Sequence, residues 1–185
     1  VEAYIGGSTT KFTRAMSVET VQRIFRCLET AVADGRNEPA RQEMLRAAFC
    51  AGAAFTRSYV GYVHGIAHSL GGKYGIAHGL ANAVILPVML RQYGSSCEKK
   101  LAQLARAAEL VPPELSDSQA AERFIAKIEA MNRGFGIPTG FDQLRAEDIP
   151  EMARYADQES NPLYPVPKLM DARELAEVYP LLMAE

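Results

Sequence analysis

Apolar residues recur at intervals of three and four along most of this chain, the spacing of one face of an α helix. Val21, Ile24, Phe25 and Leu28 show it clearly, inside a segment that polar and helix-breaking residues delimit. Because no run of alternating apolar and polar residues is long enough to predict a strand, the pattern predicts an all-α fold. We expect about seven to nine helices, arranged as a multi-helix bundle.

The boundaries of these helices follow from caps and breakers. Ser17 is predicted to cap the second helix, and Gly71-Gly72 to close the fourth. Many alanines, together with Gly52, predict a third helix that is closely packed and deeply buried. The predicted helices span residues 2–5, 17–34, 39–59, 62–70, 79–92, 97–110, 116–135, 146–158 and 171–183.

Size and composition restrict the function. A chain of 185 residues is long enough for one sizeable core, so we expect one domain over residues 1–185. Its net charge is −2 and it has no run of basic residues, so binding to nucleic acid is not expected. The longest apolar stretch, residues 80–90, is far shorter than the roughly 20 residues that cross a bilayer, and no membrane span or signal peptide is predicted.

The three cysteines, Cys27, Cys50 and Cys97, form no C-x-x-C pair. An odd number of widely spaced cysteines is not typical of a disulfide framework, and without the pair a thiolate zinc site is not expected. A reducing cytoplasm fits this usage best.

All three histidines lie within fifteen residues, at His64, His68 and His78. His64 and His68 are four residues apart and share one helix face, and the Gly71-Gly72 pair can turn the chain so that His78 returns to it. Three converging imidazoles favour a metal site, since imidazole is a common ligand of zinc, iron, copper and nickel. The alternative is three ordinary histidines, each bonded to a carbonyl.

Two local features narrow this hypothesis. Gly65 stands where the glutamate of an H-E-x-x-H metalloprotease would be, so that class of enzyme is not favoured. Glycines also cluster around the histidines, which indicates close approach of the backbone to a ligand or, equally, tight packing of helices. They stand at positions 61, 65, 71, 72, 75 and 79.

The segment over residues 62–90 resembles the signature of the iron-containing (group III) alcohol dehydrogenases. The likeness consists of His64, three residues, His68, a glycine-rich turn, and His78-Gly79 followed by Asn82 and an apolar run that ends at Pro87. It extends to the VEAYI start and the Asn161-Pro162 segment, and so covers essentially the whole chain.

The resemblance implies a dehydroquinate synthase-like C-terminal helical domain, whose partner is an N-terminal dinucleotide-binding domain that this chain does not contain. The metal of that family has four protein ligands, of which His64 and His78 match two. The other two belong to a D-x-x-x-H helix, which is expected just upstream of Val1. The chain alone is therefore expected to be inactive.

The implied chemistry is reversible hydride transfer between a small alcohol and NAD or NADP, with Fe2+, or Zn2+, as a Lewis acid on the alcohol oxygen. By similarity, His68 relays protons or touches the nicotinamide, or it only packs against the His64 turn. Phe55 matches an aromatic position that flanks the nicotinamide, although an aromatic on that helix stripe is also typical of a core.

Two alternatives accompany this interpretation. Glycerol dehydrogenase and dehydroquinate synthase share the two-domain architecture but use zinc, and residues 65–87 favour the iron-type enzymes over both. The other alternative is a non-catalytic helical interaction module, supported by the amphipathic helices and by the apolar face that a missing partner domain would leave exposed. Such a face also predicts a homo-oligomer.

Overall fold

The computed structural model describes residues 1–184, which form nine α helices and two short 3-10 turns, with no strand in that range. The predicted all-α fold is confirmed; Glu185, the last residue of the predicted domain, lies outside the described residues. The helices are α1 Glu2–Ile5, α2 Lys11–Ala33, α3 Glu38–Ser58, α4 Tyr62–Tyr74, α5 His78–Tyr93, α6 Ser95–Ala107, α7 Asp117–Gly134, α8 Ile149–Ser160 and α9 Ala172–Ala176.

Helix α4 is central to the site because it packs against both α5 and α8, while α2 pairs with α3 and α6 with α7. Its apolar side is fully covered: Tyr62, Ile66 and Leu70 have no exposed surface. The Tyr62 hydroxyl also accepts a hydrogen bond from the Met170 amide at 2.9 Å, which ties the segment after α8 to α4. Packing of this kind, rather than helix propensity, holds most helices of folded proteins in place.

The predicted start of α2 is wrong. The helix begins at Lys11, because Thr10 and Thr13 form a reciprocal capping box: the Thr13 amide donates to Thr10 Oγ1 at 3.1 Å, and the Thr10 amide donates to Thr13 Oγ1 at 2.9 Å. Ser17, the predicted cap, lies inside the helix and is buried. A capping box satisfies two free amides at once, which explains why the earlier start is preferred.

The predicted end of α4 is also wrong. The helix passes through Gly71 and Gly72 and ends at Tyr74, where Gly75 adopts a left-handed conformation with φ of +68°. A glycine inside a helix costs only about 1 kcal/mol, which the contacts of α4 can offset, whereas a positive φ stops the helix outright. Gly75 is therefore the residue that turns the chain towards α5.

Helix α3 is not deeply buried, contrary to the expectation from its alanines and Gly52. Ala47 and Ala54 are buried, but Leu45 is 72% and Phe49 is 75% exposed. Helix α3 packs mainly against α2, and a Cβ on Gly52 would meet nothing within 4 Å, so this glycine does not serve close packing. No helix within residues 1–184 is both long and apolar enough to cross a membrane.

Candidate metal centre

The structure brings the three histidine rings together at the junction of α4 and α5. The ring centres of His64 and His68 are 6.0 Å apart, those of His64 and His78 are 5.3 Å apart, and those of His68 and His78 are 5.2 Å apart. One helical turn separates His64 from His68, and the left-handed turn at Gly75 places His78 in the first turn of α5. The rings thus converge on one region.

His64 is held by a buried carboxylate from the first helix. Its Nδ1 lies 2.6 Å from Glu2 Oε2, and Glu2 Oε1 accepts a second hydrogen bond from the Val63 amide at 2.9 Å. The Glu2 side chain is 7% exposed and that of His64 is 28% exposed. Since a carboxylate accepts the bond, Nδ1 carries the proton and the lone pair of Nε2 is left free.

His68 forms a similar bond in a more open setting. Its Nδ1 lies 2.6 Å from Glu159 Oε1 on α8, and the same oxygen accepts a hydrogen bond from the Tyr164 hydroxyl at 2.8 Å. Here the side chains of His68 and Glu159 are 43% and 35% exposed. The bond joins α4 to α8, and both of its side chains are in contact with water.

His78 has no carboxylate partner in the described part of the chain. Its Nε2 lies 2.9 Å from the side-chain nitrogen Nδ2 of Asn82, one turn later on α5. Asn82 Nδ2 also donates to the His78 backbone carbonyl at 3.0 Å. Asn82 Oδ1 is buried and has no hydrogen-bond partner. Loss of water around the ring lowers the pKa of His78, and protonation of His64 or His68 would lower it further, so the ring favours its neutral, ligating form.

The positions of His64 and His78 suit two ligands of one metal. Imidazole nitrogens about 2.0–2.1 Å from a shared tetrahedral metal place their ring centres roughly 5 Å apart. The observed separation of 5.3 Å is compatible with this value, and so is the 5.2 Å between His68 and His78. Within residues 1–184 no group of three or more His, Cys, Asp or Glu side chains has an arrangement that could hold a metal ion. His64 and His78 thus fit two positions of a coordination shell, which the described residues do not complete.

Phe55 is 47% exposed and does not belong to the core. It lines a cavity of about 270 Å³ beside the cluster, whose wall also includes His64, Asn82, Glu2 and the buried Ser17. The cavity is largely apolar at its α3 side and polar where it meets His64. The Phe55 ring in this wall can pack against a flat ligand placed over the histidines.

Sequence reasoning missed three residues that contact the histidine rings: Glu2, Glu159 and Asn82. Glu2 left a usable signal, because it is the one acidic residue in the apolar run VEAYI, and a carboxylate buried there needs a partner. Asn82 lies at i+4 from His78 and was also open to the helical-spacing argument. Glu159 left no local signal, since its bond to His68 joins residues 91 positions apart.

Known protein sequences resemble this chain along nearly its whole length. The chain matches, over residues 1–182, the family described as Fe-containing alcohol dehydrogenase family, C-terminal. It is 36% identical over 181 residues to the 1,3-propanediol dehydrogenase of Citrobacter freundii, covering 97% of this chain and 46% of that protein. It is 35% identical over 171 residues to the NAD-dependent methanol dehydrogenase of Bacillus methanolicus, covering 88% and 44% respectively.

Solved structures show the same fold. A 1,3-propanediol oxidoreductase superposes with a TM-score of 0.92 at 35% identity, and covers 98% of this chain and 48% of its own. An alcohol dehydrogenase from Oenococcus oeni gives 0.91 at 29% identity, with the same coverage of 98% and 48%. The chain spans about half the length of these relatives. It belongs to the iron-containing alcohol dehydrogenase family, and it matches the C-terminal part of that family.

Proposed function

We propose that this chain is the all-helical, metal-binding domain of an NAD(P)-dependent alcohol dehydrogenase, which interconverts a small alcohol and its aldehyde or ketone by hydride transfer. The observation that carries the proposal is the pairing of His64 and His78, with ring centres 5.3 Å apart and Nε2 of His64 free. The names of the relatives support the substrate class, and one of them names NAD. The dinucleotide-binding domain belongs to the half of the enzyme outside this chain.

His64 and His78 would hold the metal, which the family name suggests is iron, with Zn2+ as the other candidate. The remaining ligands come from the half of the enzyme outside this chain. A divalent metal bound there supplies Lewis acidity towards the alcohol oxygen. Asn82 donates to Nε2 of His78 in the present arrangement, so ligation through that atom requires the Asn82 amide to turn away.

His68 handles the proton of the alcohol. Its Nδ1–H donates to Glu159, so the lone pair on Nε2 is available to accept a proton. Once protonated, the ring is stabilised by the Glu159 carboxylate, which the Tyr164 hydroxyl in turn orients. With the His68 side chain 43% exposed, the proton can pass on to solvent.

Phe55 and the adjoining cavity position the cofactor and exclude water. The ring lies at the open edge of the cavity that His64 also lines, where a nicotinamide can pack against an apolar, flat surface. Its role is binding rather than proton transfer. The homo-oligomer that the sequence suggested stays a prediction.

The test is metal content and turnover of the full-length protein. We expect His64→Ala and His78→Ala each to lose the metal, because one imidazole fewer opens the coordination shell. Elemental analysis after dialysis measures this loss, and NAD(P)-linked oxidation of small alcohols measures activity. His68→Ala is the matched control: it should retain metal while turnover falls by about 10²–10⁴-fold, the usual contribution of a positioned proton carrier.

Two results would refute the proposal. One is unchanged metal content in both the His64 and the His78 variants. The other is a full-length protein that binds neither NAD nor NADP, which would favour the non-catalytic interaction module. Phe55→Ala refines the cofactor role: a raised KM for the nucleotide with full metal content supports it, and an unchanged KM assigns Phe55 to packing.

A further inference from the structure

We propose that Glu2 is a positioning residue of the metal centre: its carboxylate fixes the tautomer and orientation of His64, so that Nε2 is the ligating atom. This inference rests on the proposed function, since it assumes that His64 binds the metal. It assigns a role to a side chain from the first helix that the sequence pattern did not single out.

The geometry leaves the Glu2 carboxylate no freedom. Oε1 accepts the Val63 amide at 2.9 Å and Oε2 lies 2.6 Å from His64 Nδ1, so both oxygens are used on adjacent residues of α4. The Glu2 side chain is 7% exposed, and water competes little with either bond. The bond from the Val63 amide thus holds the carboxylate in the position from which it accepts the bond of the His64 ring.

Gly61 provides the space that this arrangement needs. A Cβ atom on Gly61 would lie 2.6 Å from Glu2 Oε1 and 3.3 Å from its carboxyl carbon. A side chain at position 61 would displace the carboxylate from its bonds to the first turn of α4. Gly61 and Glu2 therefore act together to position the His64 ring.

The consequence for metal binding is chemical. An ionised carboxylate only accepts hydrogen bonds, so the Nδ1–H tautomer of His64 is the one that can bond to it. Metal-bound histidines usually donate their other ring N–H to a carboxylate or carbonyl, which orients the ring and raises its basicity. Glu2 meets this description, and His68, with its exposed Glu159, offers an internal comparison.

Glu2→Gln is the decisive variant because glutamine has one acceptor and one donor. If its oxygen keeps the bond to the Val63 amide, its NH2 group faces His64 Nδ1 and forces the proton to Nε2, the atom that must bind the metal. We expect the Zn2+ affinity of the full-length protein, measured by competition with a chromophoric chelator, to fall about 10–100-fold. Glu159→Gln is the matched control, with an affinity within about twofold of the unchanged protein.

A spectroscopic readout separates positioning from mere structural support. 15N NMR of the ring nitrogens of the metal-free full-length protein resolves the tautomer of His64, whose signals are assigned by their loss in His64→Ala. We expect His64 to be the Nδ1–H tautomer in the unchanged chain and to become the Nε2–H tautomer in Glu2→Gln. Circular dichroism checks that the variant remains helical; if it does not, the unchanged chain alone decides, because a Nε2–H tautomer there overturns the proposal.

The remaining outcomes are distinct. If His64→Ala loses the metal while Glu2→Gln keeps Zn2+ affinity within about twofold, the positioning role is refuted and the proposed function stands. If His64→Ala keeps the metal, the assigned ligand is wrong and the positioning role falls with it.

Discussion

Two histidines on consecutive turns of α4 make the same bond in different surroundings. In both His64–Glu2 and His68–Glu159, ring Nδ1 lies 2.6 Å from a carboxylate oxygen. The Glu2 side chain is 7% exposed and also bonded to backbone, whereas the Glu159 side chain is 35% exposed and bonded to a tyrosine hydroxyl. Bond length therefore does not distinguish the two pairs, and burial does.

The difference decides what each pair can do. Water and salt screen the exposed pair, so His68 can change its protonation at little cost to the fold. The buried pair is screened much less, and breaking it leaves polar groups without partners. A rigid ring suits a metal ligand and a solvent-linked ring suits proton transfer, which is the division of roles proposed for His64 and His68.

The largest effect on stability is expected from a larger side chain at the contact between α4 and α8, the two helices that His68 and Glu159 join. A Cβ on Gly65 would lie 2.4 Å from Ser160 Oγ and 3.3 Å from the Ala156 carbonyl, both on α8. Gly65→Ala should lower the free energy of unfolding by roughly 1–3 kcal/mol, because the buried Ser160 side chain must rotate or the two helices must separate. It should also weaken His68–Glu159, which spans α4 and α8. Urea unfolding and the His68 ring chemical shifts measure the two effects.

Gly72→Ala is the control on the same helix. A Cβ there meets nothing within 4 Å, so the substitution should stabilise the protein by up to about 1 kcal/mol through helix propensity. Equal destabilisation by both substitutions would show that glycine flexibility, rather than the α4–α8 contact, matters at position 65.

A smaller effect should separate the two carboxylates directly. Glu2→Ala leaves the Val63 amide and His64 Nδ1–H without acceptors, which costs roughly 1–3 kcal/mol, partly offset because a buried charge is removed. We expect a net loss of about 1–2 kcal/mol in the free energy of unfolding, against a change within about 0.5 kcal/mol for Glu159→Ala. Similar losses in the two variants would remove the distinction drawn between the pairs.

The smallest effect concerns salt. With the His68 ring protonated, a double-mutant cycle on His68 and Glu159 should give a coupling of about 0.2–1 kcal/mol at low ionic strength, which falls towards zero at 1 M NaCl as screening increases. The coupling between His64 and Glu2 should persist in the same salt, since the Glu2 side chain is only 7% exposed. A salt-sensitive His64–Glu2 coupling would mean that water reaches the pair in solution.

The sequence predicted the fold well because helices leave periodic patterns. The all-α fold and the ends of α1 and α2 follow from local chemistry, whereas the predicted helix over residues 171–183 is wrong, because α9 starts after its Asp171 cap but ends at Ala176. The start of α2 was wrong because the local capping box of Thr10 and Thr13 was missed, and two other errors arose where tertiary contacts override local signals. Packing carries α4 through Gly71-Gly72, and α3 keeps an exposed apolar side that periodicity cannot distinguish from a buried one.

The candidate site was predicted in part. Spacing placed His64 and His68 on one face, and glycine-rich sequence indicated the return of His78, although Gly75 and not Gly71-Gly72 makes the turn. The partners of the rings were not predicted, because bonds from α1 and α8 to α4 join residues 62 and 91 positions apart. Separations of that size leave no trace in a local pattern.

The close approach of Gly61 to Glu2 makes these two positions a single unit of substitution. A side chain gained at position 61 demands a shorter acid at position 2, so we expect Gly61→Ala to be tolerated better in the presence of Glu2→Asp than alone. In a combinatorial library, variants that carry both substitutions should then survive selection more often than variants that carry Gly61→Ala alone. Related sequences should also show correlated substitutions at these two positions, which lie 59 residues apart in the chain.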